Sequence, residues 1–238
     1  MKKNIVLIVI PAYNEAKHIA RVVRSLPHTL TADSRRFAVK VVVIDDCSRD
    51  ATSSEAKKAG ATVLRHVINS GAGAATRTGL RYAEQNSKNL AYVVTIDADG
   101  QHSTEDVERL VRFAVEHDAE MLVGNRLHQG NKARMPLHRT LGNRGLGLIG
   151  RVLFGIKTED TQSGLRLYKA AIIPAISQYT IDRYGFCTEM LWLANRANII
   201  VQEVPISVQY SDETIANGQS NWGAVDLILD LLWIRISR

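Results

Sequence analysis

Ala91-Tyr92-Val93-Val94-Thr95-Ile96-Asp97-Ala98-Asp99-Gly100 is an apolar run that ends on two carboxylates and a glycine. A short, continuous run rich in valine is the pattern of a strand buried on both faces. Asp97 and Asp99 stand two positions apart, so an extended backbone points both side chains the same way. Gly100 permits a sharp turn directly behind them. Two carboxylates on rigid backbone form a hard oxygen site, suited to Mg²⁺ or Mn²⁺ carrying a diphosphate. The alternative is an Asp-rich turn capping a helix that starts near Ser103. An EF-hand does not fit: its sixth loop position would be His102, where glycine is required, and a strand precedes the loop.

Outward from this run, strand and helix patterns alternate. Ile5–Ile10, Val39–Ile44, Thr62–Val67 and Tyr92–Ile96 read as strands. Between them lie a helix over Glu15–Ser25, one entered through Ser48 and Asp50, and one from Ala72 to Gln85. Thr104–Glu116 follows, with Val107, Leu110, Val111 and Ala114 on one face, and Met121–Val123 closes the regular part. Val/Ile runs alternating with amphipathic helices predict a parallel sheet covered on both faces. Ligands of such sheets bind beyond the carboxyl ends of the strands. The polar residues gather there: Pro11-Ala12-Tyr13-Asn14-Glu15, Asp45-Asp46, Asn69-Ser70-Gly71 and Asp97-Ala98-Asp99. Four polar strand ends on one edge predict a nucleotide cleft.

The second half is less regular. A helix is expected around Arg139–Phe154 despite four glycines, then a polar turn Asp160–Gly164, a short strand Leu165–Lys169 and a helix over Tyr184–Ala197. Ile200–Tyr210 reads as a strand broken by Pro205, hence an edge. Ser211–Asn221 is a polar loop, and the apolar tail Trp222–Ile236 is suited to the domain surface, another subunit or a membrane interface.

A chain of 238 residues is long enough for one large domain with a substantial core. Ile5–Ile10 stops at Pro11, too short for a membrane-spanning helix or a signal peptide. Cys47 and Cys187 offer neither a disulfide framework nor a metal spacing, which fits a cytoplasmic protein. Lys and Arg outnumber Asp and Glu by 30 to 24, a net charge of +6. No acid falls between Glu120 and Glu159, where Arg126, Lys132, Arg134, Arg139, Arg144, Arg151 and Lys157 stand. Such a segment attracts phosphates or an anionic membrane face, or is simply a solvated basic loop. No interleaved aromatics, helix-turn-helix or zinc-finger pattern accompanies it, so nucleic acid is not expected.

In this order along the chain, Val9-Ile10-Pro11-Ala12-Tyr13-Asn14-Glu15, Val43-Ile44-Asp45-Asp46-Cys47-Ser48, Asn69–Ala75, Ile96–His102, Gly124-Asn125-Arg126 and Asp160–Gly164 form a set. The set resembles the inverting glycosyltransferases of family 2, and within it the polyprenol-phosphate sugar synthases, typified by dolichol-phosphate mannose synthase. The resemblance implies an α/β fold: a single GT-A domain, with a mostly parallel, Rossmann-like central sheet flanked by helices. It would span 1–221, with a nucleotide-sugar-binding half at 1–125 and an acceptor half at 126–221, before an amphipathic C-terminal helix at 222–238. It also implies a nucleotide-sugar donor (GDP-mannose or a UDP-hexose), Mg²⁺ or Mn²⁺, and a polyprenyl-phosphate acceptor at a membrane surface met peripherally. Oligomers through the C-terminal helix are open.

By this resemblance Pro11, Tyr13, Glu15 and Asp45 would meet base and ribose, with Asp97, Ala98 and Arg126 completing the donor site. Asp97, Asp99 and Gln101 would hold the ion. Arg126 and Arg139 match phosphate-side arginines, and Arg139, Ser163 and Ser220 fall to the acceptor. A carboxylate such as Asp45 accepts from base N–H or ribose O–H groups, and a guanidinium binds phosphate bidentately. A lipid phosphate is anionic near neutral pH and needs positioning more than a base. A sugar hydroxyl would need one, and Asp160 is the best candidate, ahead of Glu189. The chain departs from the lipid-phosphate synthases at Gly218-Gln219-Ser220-Asn221, where they show Gly-Glu-Ser-Lys after an Arg-rich stretch.

A dinucleotide-binding oxidoreductase is the rival. Gly71-Ala72-Gly73-Ala74-Ala75-Thr76 follows a strand and opens a helix, and Asp97 stands about 20 residues further on. Against it, Thr76 replaces the third glycine and the motif lies in the third βα unit. A non-enzymatic membrane scaffold would leave the paired acids without work.

Overall fold

The computed structural model describes residues 4–127, 145, 150–151 and 154–207, apart from 87 and 184. The first strand, β1 (Ile5–Ala12), pairs in parallel with β3 (Arg35–Asp45) on one side and β5 (Leu90–Thr95) on the other. β2 (Thr29–Ala32) lies antiparallel against the start of β3, and β4 (Thr62–Arg65) runs parallel to its end. Beyond β5 comes β7 (Arg166–Lys169), antiparallel to both β5 and β6 (Met121–Asn125), and β8 (Val201–Pro205) closes the sheet parallel to β6. The eight strands follow the order β2-β3-β1-β5-β7-β6-β8, with β4 beside β3.

Successive residues of β1 serve opposite faces, as the period of two requires. Val6, Ile8 and Ile10 pack under α1 (Ile19–Ser25) and α4 (Thr104–Glu116) through Ile19, Val22, Val107 and Leu110. Leu7 and Val9 pack on the other face with Ala75 and Leu80 of α3 (Ala72–Gln85). That face also receives Ile173 and Ile176 of α5 (Ile173–Ile176) and Met190 of α6 (Phe186–Arg196). A Cβ on Gly79 would run into Val9 Cγ1, so the glycine sets how closely α3 approaches β1.

The expected α/β sheet is therefore present, with some boundaries moved. β3 begins at Arg35, four residues before the expected strand, because Asp33 and Ser34 (φ 43° and 58°) turn a hairpin back onto β2. Two consecutive positive φ values are what a two-residue hairpin turn requires. α1 starts at Ile19, not Glu15, since Glu15 N–H donates to Thr52 Oγ1 across the loop to α2 (Thr52–Lys58). Ser103 caps α4, accepting from Asp106 N, and α3 spans the expected residues. β8 is an edge strand ending at Pro205. The expected helix over Arg139–Phe154 falls largely outside the described residues, as do the loop and tail after Ser207.

Candidate active site

β1, β3 and β5 run parallel and β7 runs against β5, so three strand ends and the turn before β7 share one edge. Register fixes this: Ala12 stands beside Asp45, and Thr95 beside Arg166. Pro11–Glu15, Asp45, Asp97–Gln101, Arg126 and Asp160–Gly164 thus come together.

Asp97 leaves β5 with its side chain 43 % exposed and its Oδ2 3.4 Å from His102 Nε2. Its carboxylate lies directly over the Cα of Gly164, where any Cβ would collide with it. Burial raises the Asp97 carboxyl, but His102, Arg126 and Arg166 outweigh that and hold it below the usual carboxylate range. Asp99 accepts from Gln101 N at 2.9 Å and Nε2 at 2.7 Å. Burial, then the charge of Asp97, push Asp99 upward. Glu15 is pushed up to about 7 by burial, then by Asp99, Asp50 and Asp97. Ala98 is buried between the two acids.

Excess negative potential with oxygen donors fits a hard divalent ion. The set is small: Asp97, Asp99 and the amide oxygen of Gln101. Among the described residues no three His, Cys, Asp or Glu side chains group as metal ligands. Mg²⁺ and Mn²⁺ commonly take one or two carboxylates and complete their shell with water and substrate phosphates, so the residues fit such an ion.

At the nucleoside end Tyr13 is 43 % exposed over the edge. Asp45 was expected to face the base or ribose. Its carboxylate is instead turned into the protein, 1 % exposed, taking Ser48 N at 2.8 Å, the Ser53 hydroxyl and Arg65 Nε at 3.6 Å. Burial raises its carboxyl, yet the Ser48 and Ser53 hydrogen bonds bring it below its ordinary value. The neighbouring Asp46, given no individual role by the sequence, accepts from Gly71 N at 2.7 Å and faces His66 Nδ1 at 2.7 Å. It fixes the turn into α3.

On the acceptor side Asp160 is fully buried and grips Arg126, which donates Nε at 2.7 Å and Nη2 at 2.8 Å; the Arg126 amide adds a third bond. Burial raises Asp160, and the Arg126 charge more than reverses it. Along the chain these residues are expected to have separate tasks, phosphate binding and proton abstraction, and the fold joins them in one ion pair. Glu203 of β8 holds the turn by accepting from Glu159 N and Asp160 N. Thr161 and Ser163 are buried, and their hydroxyls have no hydrogen-bond partner among the described residues. Glu189, the weaker candidate base, is buried and accepts from the Thr180 and Ile181 amides, so it holds a loop. Arg139 and Ser220 lie outside the described residues.

The glycine-rich turn is a correction to the dinucleotide reading. Gly73 N and Ala74 N donate to the Asp182 carbonyl at 2.8 and 3.3 Å, and a Cβ on Gly73 would stand 2.6 Å from the Ile181 carbonyl oxygen. The glycines admit a neighbouring loop, and that loop fills the helix end where a pyrophosphate would sit.

A GT-A sheet with paired acids at its carboxyl edge defines a glycosyltransferase. The chain belongs to glycosyl transferase family 2, whose model matches residues 7–176. It is 30 % identical to a UDP-N-acetylglucosamine–dolichyl-phosphate N-acetylglucosaminyltransferase of Methanococcus voltae, over 100 % of this chain and 99 % of that one. It is 32 % identical to an undecaprenyl-phosphate mannosyltransferase of Micrococcus luteus, over 85 % and 82 %. In fold it is similar to glucosyl-3-phosphoglycerate synthase of Mycobacterium tuberculosis, crystallised with Mg²⁺ and uridine diphosphate. The TM-score is 0.68 at 18 % identity, covering 98 % of this chain and 80 % of that one.

The raised Glu15 carboxyl has a measurable consequence. Between its ordinary value of 4.5 and about 7 the folded chain binds more of this proton than the unfolded chain. Stability therefore falls with rising pH across that window. Melting curves of ion-free wild type and Glu15→Gln should diverge from pH 4.5 to 7, with the variant the more stable at pH 7. Parallel curves would contradict the crowded negative potential.

Proposed function

We propose that this chain is a divalent-metal-dependent, inverting glycosyltransferase that moves a sugar from a nucleotide-sugar donor to a polyprenyl phosphate. One observation carries it: Asp97 and Asp99 stand on the sheet edge that also carries Glu15 and the Arg126–Asp160 pair. The two relatives named for dolichyl and undecaprenyl phosphate support the acceptor class.

On this reading Pro11, Tyr13, Glu15 and Asp45 shape the nucleoside end, the last by holding the loop. Asp97, Asp99 and Gln101 hold the ion, which supplies positive charge to the leaving diphosphate. An oxygen of the lipid phosphate attacks the anomeric carbon from the face opposite the diphosphate. The new C–O bond forms as the bond to the diphosphate oxygen breaks, and the configuration inverts. The nucleophile arrives ionised, so no proton has to be abstracted. Arg126 and Arg139, with Ser220, serve the acceptor phosphate, Asp160 keeps the Arg126 guanidinium in place, and Ser163 stays buried within the turn. No helix among the described residues is long and apolar enough to cross a membrane, and contact with the bilayer is peripheral on this reading.

The test incubates the chain and Mn²⁺ with radiolabelled GDP-mannose, UDP-glucose or UDP-GlcNAc, each with and without undecaprenyl or dolichyl phosphate. Label in the organic phase, dependent on lipid phosphate and abolished by EDTA, is the expected result. Donor hydrolysis with no labelled lipid from any donor would refute it. The altered Gly218–Asn221 loop favours a second reading, transfer to a sugar hydroxyl, which the assay detects as labelled glycoside once an acceptor sugar is added.

A further inference from the structure

Arg166 stands on β7, in register with Thr95 of β5 and Val123 of β6, and is only 1 % exposed. A buried cation is costly unless its donors are satisfied. Arg166 satisfies them on backbone: Nε on the Ser163 carbonyl at 2.8 Å, Nη2 on Thr161 at 2.6 Å and Nη1 on Cys187 at 2.9 Å. Met190 Sδ lies at 4.0 Å, and none of these four partners is a carboxylate.

Two of those carbonyls belong to the turn Asp160–Gly164. The neighbouring ones are held as well, Gly164 by Thr95 Oγ1 and Leu165 by Gly124 N, both at 2.9 Å. One end of this turn is Asp160, gripping Arg126, and the other is Gly164, on whose Cα the Asp97 carboxylate rests. The turn therefore spans from the acceptor side to the ion-binding acid. An apolar side chain of similar volume would take away the donors of these three carbonyls, so the guanidinium ties the turn to the start of α6.

We propose that Arg166 is a positioning residue: by gripping the Thr161 and Ser163 carbonyls it fixes the turn that seats Asp97 over Gly164 and Asp160 against Arg126. Binding of ion and diphosphate then depends on a side chain that touches neither. The inference rests on the metal-dependent donor site proposed above, and not on the acceptor.

The test titrates UDP, and separately GDP, into the full chain with and without Mn²⁺. The ratio of the two dissociation constants measures the coupling between ion and nucleotide. Arg166→Lys keeps the charge, but one ammonium does not span three carbonyls from two segments. It should reduce that ratio by at least about fivefold, with nucleotide binding in the absence of ion changed less than about twofold. Ile173→Val, a core change on α5, should lower the melting temperature and leave the ratio alone, which separates positioning from general destabilisation. An unchanged ratio in folded Arg166→Lys would overturn the proposal. Should that variant not fold, Arg166→Gln takes its place with the same expectation. Failure of both to fold would also overturn it, by making Arg166 a requirement of the fold as a whole. A wild type without any coupling would remove both this inference and the metal reading. Coupling without lipid labelling would remove only the acceptor.

Discussion

Replacing Asp99 with Asn abolishes sugar transfer and leaves the ion-free chain at least as stable as wild type. The two halves of this expectation have one cause. Asp99 is held upward from its ordinary value by burial and by the charge of Asp97, so its ionised form is disfavoured in the folded chain. At pH 7 that carboxylate costs stability, and a neutral amide of the same shape relieves it. The amide oxygen still accepts from the Gln101 backbone N–H, so the loop keeps its course. What disappears is a charged ligand for the ion that neutralises the leaving diphosphate. Losing one such electrostatic contact typically costs on the order of 10²–10³ in turnover. Differential scanning calorimetry with and without Mn²⁺ and UDP checks the binding half: wild type should gain melting temperature on adding both, and Asp99→Asn should gain little. A variant less stable than wild type without ion would contradict the electrostatic account.

Asp160→Asn should be the most destabilising conservative change in the site. Asp160 is fully buried, and Arg126, mostly buried itself, gives it two side-chain bonds and one from its backbone. Removing the carboxylate charge leaves a guanidinium in a poorly solvated place, which costs about 3–5 kcal/mol. Urea unfolding measures this. Adding Arg126→Met to the variant removes the cation that Asp160 balanced and should recover much of the loss, since a buried pair replaced by apolar groups is often neutral. Transfer should not recover, because the guanidinium that serves phosphate is then gone. Restored transfer in the double variant would show that neither side chain takes part in the reaction.

These expectations draw on both the part of the molecule that was legible in the sequence and the part that was not. Valine runs and amphipathic helices specify the doubly covered sheet through local periodicity, so α3, α4 and the strand before Asp97 were readable from residue types alone. The hairpin at Asp33-Ser34 has no such periodicity to announce it, since its signal is backbone conformation at two polar residues. The site divides in the same way. Strand ends carry Asp97, Asp99 and Glu15 to one edge by topology, which sequence order predicts. The partner of each charge is a long-range matter. Asp160 meets Arg126 across 34 positions, and Asp45 turns inward onto Ser48 of the following loop and Ser53 of α2. Arg166 and Glu203 gave no signal, since one reads as an ordinary strand arginine and the other as an edge glutamate. Only the antiparallel insertion of β7 between β5 and β6 puts the arginine beneath the turn.

If the attacking group is a lipid phosphate, the linkage in the product is a glycosyl phosphate. A sugar joined to phosphate is released by mild acid, because the phosphate monoester is a good leaving group, whereas an ordinary glycoside survives. Organic-phase label, formed with Mn²⁺, donor and polyprenyl phosphate, should become water-soluble free sugar on brief mild-acid treatment. Label that resists this treatment, or that forms equally well without lipid phosphate, would contradict it.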